Sequence, residues 1–218
     1  MSKILIFDSG VGGLSIYQAI KKQLPHAEYI YLFDDAHFPY GELDSDFLIE
    51  RVSYLIGRMY EQYKPDIVVI ACNSASTLVL PKLRSLYPVP FVGVVPAIKP
   101  AAKLSENQHI GLLATPGTVN REYTRLLIAE HAHECRVDLI GNTELVIQAE
   151  RKLKGEMVEL DKVNTAIKFW LDEAKRPDVV VLGCTHFPLL KAELSSLLGE
   201  SVMLLDSGDA IAMRVQHL

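Results

Sequence analysis

Basic residues are in short supply for a protein that would track a phosphate backbone. Lys and Arg together number 22 against 27 Asp and Glu, a net charge of −5 with histidine neutral, and no cluster of them stands out. A nucleic-acid surface normally shows a basic excess or stripe, so a nucleic-acid partner is excluded. No apolar run approaches the roughly 20 residues that a bilayer demands, and Met1-Ser2-Lys3-Ile4-Leu5-Ile6-Phe7 leads straight into a strand. Neither a membrane segment nor a signal peptide is therefore expected, and the expected location is cytoplasmic. Cysteine is scarce: Cys72, Cys135 and Cys184 are all there are, and none lies in a Cys-x-x-Cys arrangement. A disulfide framework and a closed zinc site are excluded, and free thiols suit a reducing compartment. Low-complexity stretches are missing too, which with 49% hydrophobic and 22% charged residues excludes disorder.

What is present is a repeat. Pro65-Asp66-Ile67-Val68-Val69-Ile70-Ala71-Cys72-Asn73-Ser74 is matched by Pro177-Asp178-Val179-Val180-Val181-Leu182-Gly183-Cys184-Thr185-His186. Each copy reads as a buried, β-branched strand closed by a small residue, a cysteine and a polar pair. The surroundings repeat as well. Lys3 to Phe7 empties into Asp8-Ser9-Gly10-Val11-Gly12-Gly13 and a helix from about Leu14; His109 to Ala114 empties into Thr115-Pro116-Gly117-Thr118 and a helix from about Val119. Further strands are predicted at Glu28 to Phe33, Phe91 to Val95, Val137 to Ile140 and Val202 to Leu205. A long amphipathic helix runs from Asp44 to the stop at Pro65, and the stripe Leu160, Val163, Ile167, Trp170, Leu171 and Ala174 predicts its counterpart. Helices are also predicted from Ala75 to Leu86 and near Pro188 to Leu198.

Strands alternating with helices predict an α/β protein with mainly parallel sheets. The duplication predicts two similar domains related by pseudo-twofold symmetry: residues 1–95, joined by a C-terminal helix over 208–218, and residues 96–207. With no linker between them, they are expected to pack around a cleft that holds the active site.

In open α/β sheets, ligands sit at the carboxyl ends of strands, where the repeat puts two thiols. A lone cysteine there is ordinarily a small hydrophobe, but two matched ones, each beside hydroxyl, amide or imidazole groups, call for more than packing. A thiol with a pKa near 8.5 needs only modest help from a helix N-terminus or an imidazolium to become thiolate. One thiolate can then take a proton from a carbon while the other thiol gives one to the opposite face, inverting a stereocentre without metal or cofactor. His186 can shuttle or stabilise that proton, or it can be a surface or capping histidine. Asp8 can orient an ammonium group or accept a thiol proton, or serve as a turn aspartate. Ser9, Asn73, Ser74, Thr115, Thr118 and Thr185 are donors at strand ends that can hold carboxylates. A dinucleotide site, with Asp34 and Asp35 as its acids, is disfavoured because the glycine turn lacks the third glycine and Asp8 would face the pyrophosphate. His131, His133 and Cys135, two apart on a helix, would not share a face for a metal.

With these residues, and with Gly183-Cys184-Thr185-His186-Phe187-Pro188, Pro39-Tyr40-Gly41 and Asp206-Ser207-Gly208, nearly the whole chain resembles the glutamate racemases of the aspartate/glutamate racemase family. Those are cofactor-independent enzymes that make D-glutamate for bacterial peptidoglycan. The resemblance implies that Cys72 acts on D-glutamate and Cys184 on L-glutamate, assisted by Asp8 and His186. It implies that Ser9, Pro39, Tyr40, Gly41, Asn73, Ser74, Thr115, Thr118 and Thr185 hold the substrate, and that Glu150 supplies a further acid. His186 looks like the glutamate branch, because aspartate-specific relatives usually carry glutamate there. No metal is implied, and relatives commonly form homodimers. Ser74 stands where threonine is usual, Phe33 where glycine is common, and the chain stops sooner after Asp206-Ser207-Gly208 than in many relatives. The competing readings are a racemase for aspartate or another acidic amino acid, and a regulatory binding protein that keeps the fold without the chemistry.

Overall fold

The computed structural model describes residues 2–218. The chain divides into two compact units, one ending at Val95 and rejoined by Ser207–Leu218, the other Pro96–Asp206. Ser207 belongs with the first unit because its hydroxyl donates to the Val95 carbonyl at 2.8 Å.

The first unit runs β1 (Lys3–Asp8), α1 (Leu14–Gln23), β2 (Glu28–Phe33), α2 (Ser45–Tyr63), β3 (Ile67–Ile70), α3 (Asn73–Leu86) and β4 (Phe91–Gly93). Its four strands are all parallel, in the order β2-β1-β3-β4. The two-residue period of a strand sends alternate side chains to opposite faces. Leu5, Phe7, Val68 and Ile70 pack under α2 and α3, with Leu48, Val52, Ile56, Val79 and Leu83. Ile4, Ile6, Ile67 and Val69 pack on the other face, against Ile16 and Ile20 of α1. Covering both faces is what makes the central strands uniformly apolar, and each such side chain contributes about 1.5–3 kcal/mol. Asp44 caps α2, its carboxylate accepting from the amides of Asp46 and Phe47 at 2.9 and 3.0 Å. Lys64 closes the helix in the left-handed region (φ 48°) ahead of Pro65.

The second unit runs α4 (Ile98–Leu104), β5 (His109–Ala114), α5 (Pro116–Val119), α6 (Glu122–His131), β6 (Arg136–Gly141), α7 (Glu144–Leu153), α8 (Leu160–Ala166), β7 (Val179–Leu182), α9 (Lys191–Leu198) and β8 (Met203–Leu205). The chain then returns to the first unit as α10 (Gly208–Gln216), where Ile211, Ala212 and Val215 join the face that α1 covers. The second sheet is also parallel, and its order, β6-β5-β7-β8, repeats that of the first.

The Pro-Asp pair that opens each half of the repeat acts at the start of the strands. Asp66 accepts from the amide of Lys3 at 2.8 Å. Asp178 accepts from the Ser105 hydroxyl at 2.6 Å and from the amides of Glu106 and Asn107 at 2.6 and 2.9 Å. Burial works against the charge of Asp178, but these hydrogen bonds hold its carboxyl below the ordinary range.

Several elements depart from the sequence reading; the helix expected from about Val119 is a short α5 that ends there and a separate α6 from Glu122. The helix expected through Ala174 stops at Ala166 and continues as two 3-10 turns, Lys168–Trp170 and Glu173–Lys175. Trp170 is fully buried and lies so close on the backbone of Gly111 that a Cβ there would come within 2.8 Å of its ring; seating that ring draws the chain off the helical path. The helices α4 and α7 were not expected at all. The helix before His133 ends at His131, so His133 and Cys135 lie beyond it; among the described residues, no group of three His, Cys, Asp or Glu side chains is placed to hold a metal.

Candidate active site

In each sheet the chain order reverses between the two central strands, β1 and β3 in one and β5 and β7 in the other. The segments leaving their carboxyl ends are where an open α/β sheet takes a ligand. Asp8, Ser9, Cys72, Asn73 and Ser74 leave β1 and β3; Thr115, Thr118, Cys184, Thr185 and His186 leave β5 and β7. All ten are buried.

In the first unit, Ala71 continues β3 by donating to the Phe7 carbonyl at 2.7 Å. Cys72 then stands as the N-cap of α3, where the helix dipole favours a negative charge. Its sulfur lies 3.7 Å from the Ser9 hydroxyl oxygen. Ser76, one turn on, locks that helix end: its hydroxyl donates to the Ile70 carbonyl at 2.7 Å and accepts from the Val94 amide at 3.0 Å. Asp8 is fully buried and accepts from the amide of Gly13 at 2.8 Å and that of Gly10 at 3.4 Å, so its carboxylate organises the glycine turn. The buried Asn73 side-chain nitrogen has no hydrogen-bond partner, an unspent donor beside the thiol.

Pro39, Tyr40 and Gly41 follow β2, with Tyr40 opening a short 3-10 turn. The Tyr40 ring packs with Phe7, Leu48 and Cys72, and its hydroxyl donates to Asp34 at 2.6 Å. Asp34 also receives both Nε and Nη2 of Arg51, at 2.9 and 2.8 Å. The Arg51 fork holds the Asp34 carboxyl below the ordinary range against the cost of burial, and burial followed by the Asp34 contact pushes the Tyr40 phenol far up. Asp34 is thus committed to an arginine and a tyrosine rather than to a ribose.

In the second unit, Gly183 donates to the Leu113 carbonyl at 2.8 Å, and a Cβ there would come within 2.8 Å of the Leu112 side-chain end, which would have to shift. Cys184 comes next, its sulfur 4.0 Å from Nδ1 of His186. Nε2 of His186 lies 2.7 Å from Oε1 of Glu150 on α7, which makes a Cys184–His186–Glu150 chain. Lys152, also on α7, braces it from outside by donating to the Leu189 carbonyl at 2.9 Å and to both Glu193 oxygens at 2.7 and 2.8 Å. The hydroxyls of Thr115 and Thr118 meet at 3.2 Å. Where Cys72 opens a long helix, Cys184 leads into a 3-10 turn, Phe187–Leu190, and only then α9.

Sequence reasoning missed Ser76, Arg51 and the helix α7. The last had a signal: Leu145, Val146, Ala149 and Leu153 recur at helical spacing, and the Asn142 side chain accepts from the Leu145 amide at 3.0 Å just ahead of them.

A repeated parallel α/β unit, with a thiol at the end of the same strand in both copies, a hydroxyl beside one and an imidazole–carboxylate pair beside the other, has the equipment of an acid/base enzyme. Comparison with known proteins makes the class specific. The Asp/Glu/Hydantoin racemase model matches residues 4–215, and the chain belongs to that family: it is an isomerase of the racemase type. It is 56% identical to the glutamate racemase of Shewanella loihica, covering 100% of this chain and 81% of that one. It is 54% identical to the glutamate racemase of Vibrio vulnificus, covering 99% and 80%. The crystal structure of Escherichia coli glutamate racemase with L-glutamate and the activator UDP-MurNAc-Ala superposes with a TM-score of 0.96 at 52% identity, covering 100% of this chain and 82% of that one.

Proposed function

We propose that this chain interconverts L- and D-glutamate by proton transfer at Cα between two cysteines, without a cofactor. The observation that carries the reading is the recurrence of a buried thiol, flanked by polar side chains, at the end of the equivalent strand in two units of one chain. The relatives named above supply the substrate. The two units are then the two domains of the enzyme, the cell compartment is the cytoplasm, and the product D-glutamate serves peptidoglycan synthesis.

In the forward direction the Cys184 thiolate takes the Cα proton of L-glutamate, and the electron pair of the broken C–H bond passes into the carboxylate-stabilised carbanion. The Cys72 thiol delivers its own proton to the opposite face, giving D-glutamate and leaving the two sulfurs with exchanged protonation. D-glutamate entering at Cys72 reverses the sequence. The His186–Glu150 pair holds positive charge next to Cys184. On the other side, the helix end of α3 and the Ser9 hydroxyl serve Cys72. The unpartnered Asn73 amide, with Ser74, Thr185, Thr115, Thr118 and the backbone of Gly41, holds the carboxylates, while Asp8 keeps the glycine turn in shape.

The test is to incubate the protein with each glutamate enantiomer in D2O with no cofactor added, following optical activity and α-deuterium. Loss of optical activity with one solvent deuteron entering per inversion is expected. No change with glutamate or with aspartate would end the racemase reading.

A further inference from the structure

We infer that Asp34 and Arg51 are positioning residues that set the place of the Pro39–Gly41 turn. The inference rests on the proposed role of Tyr40 and Gly41 in holding the substrate.

The pair is costly by design. Asp34 has a side chain 3% exposed and Arg51 one 27% exposed, and taking two charges out of water is often no better for stability than apolar residues of similar volume. An apolar cluster is available on the spot, since Phe7, Leu48 and Tyr40 pack together there. What charges supply, and apolar contacts do not, is direction. Arg51 presents a planar fork to both carboxylate oxygens, a geometry that lysine cannot copy. One of those oxygens also accepts the Tyr40 hydroxyl at 2.6 Å.

The three residues come from three places: Asp34 follows the last residue of β2, Arg51 lies within α2, and Tyr40 lies in the irregular segment between them. The network therefore ties the middle of that segment to a point where strand and helix are already joined. Among the described residues His37 also faces Asp34, its Nδ1 3.5 Å away and without a hydrogen bond. The Tyr40 ring packs in one cluster with Cys72, so a shift of this turn is felt next to the thiol.

The test combines Asp34→Asn, which keeps shape and removes charge, with Arg51→Lys, which keeps charge and removes the fork. Two quantities are read on the full chain: backbone hydrogen exchange over residues 38–42 without substrate, and kcat and KM for both glutamate enantiomers. Exchange is expected to accelerate there and not in β1 or β3. KM is expected to rise on the order of tenfold, with kcat falling less, because misplacement of a substrate contact by about 1 Å is worth up to about 100-fold. Arg51→Lys alone should show a smaller loss of the same kind, because the charge stays while the fork is gone. Should Asp34→Asn fail to fold, the double substitution Asp34→Leu with Arg51→Met fills the same space without charge and should show the same kinetic loss in a stable protein.

Unchanged exchange in residues 38–42 would overturn the inference, as would faster exchange with unchanged kinetics. A wild-type protein inert toward every acidic amino acid would instead sink the functional reading, and the exchange result alone then decides whether the pair holds the turn.

Discussion

Replacing Glu150 by glutamine separates the charge of that side chain from its shape. The 2.7 Å contact with His186 has the length of a charge-assisted hydrogen bond, and the imidazole is almost wholly buried. A hydrogen bond to a charged group contributes about 1.5–3 kcal/mol against about 0.5–1.5 for a neutral one. Glutamine therefore forfeits about 1–2 kcal/mol of support for the imidazolium, which at about 1.4 kcal/mol per tenfold predicts a loss of roughly 5- to 30-fold in kcat/KM. Enantiomers have equal free energies, so kcat/KM must fall by one factor in both directions and cannot reveal which side was damaged. Isotope partitioning can. Starting from D-glutamate in D2O, Cys72 still forms the carbanion, but the higher barrier beside Cys184 returns it to the D face more often. Once the Cys72 thiol has exchanged the proton it took for a solvent deuteron, that return places deuterium in recovered D-glutamate ahead of the L product, while recovered L-glutamate stays unlabelled at early times in the reverse experiment. A loss smaller than about twofold in a folded variant, or labelling identical to wild type, would refute the proposed coupling of Glu150 to Cys184.

Cys72→Ala and Cys184→Ala are each expected to abolish racemisation, and full activity in either would remove that sulfur from the mechanism. Asp34 makes stability depend on acid. Its carboxyl is held below the unfolded value of about 3.9, so its contribution is present above that pH and is lost as pH falls through the folded-state value. Asp34→Asn should flatten this part of the acid-unfolding profile; a profile parallel to wild type would show that Asp34 does not contribute. Gly111→Ala should cost about 1–3 kcal/mol by forcing a methyl group into the Trp170 ring, and an unchanged thermal midpoint would mean that the ring moves aside freely.

The strands and the two thiols were legible because buried parallel strands carry their signal in consecutive residues: Ile67 to Ile70 and Val179 to Leu182 need no partner to be recognised. Roles that depend on tertiary pairing were not. Asp34 at the end of β2 invites a ribose-binding reading, and nothing local says that Arg51, on the following helix, takes both of its oxygens. Glu150 was named through resemblance, yet its helix went unseen although Leu145, Val146 and Ala149 stand at helical spacing; the polar Gln148 shares their buried face. Trp170 fits a helical stripe by spacing, but its size, set against a strand glycine, breaks the helix that the spacing predicts.

The aspartates that open the two halves of the repeat make each thiol strand a ruler. Asp66 and Asp178 pin one end, and the cysteine follows six residues later in both, a reach of roughly 20 Å of extended chain at about 3.3 Å per residue. The sulfur is thus measured out from the far edge of the sheet rather than placed by its neighbours. One inserted residue would carry it about 3 Å too far and turn it to the other face, so in these strands length is under the same constraint as chemistry.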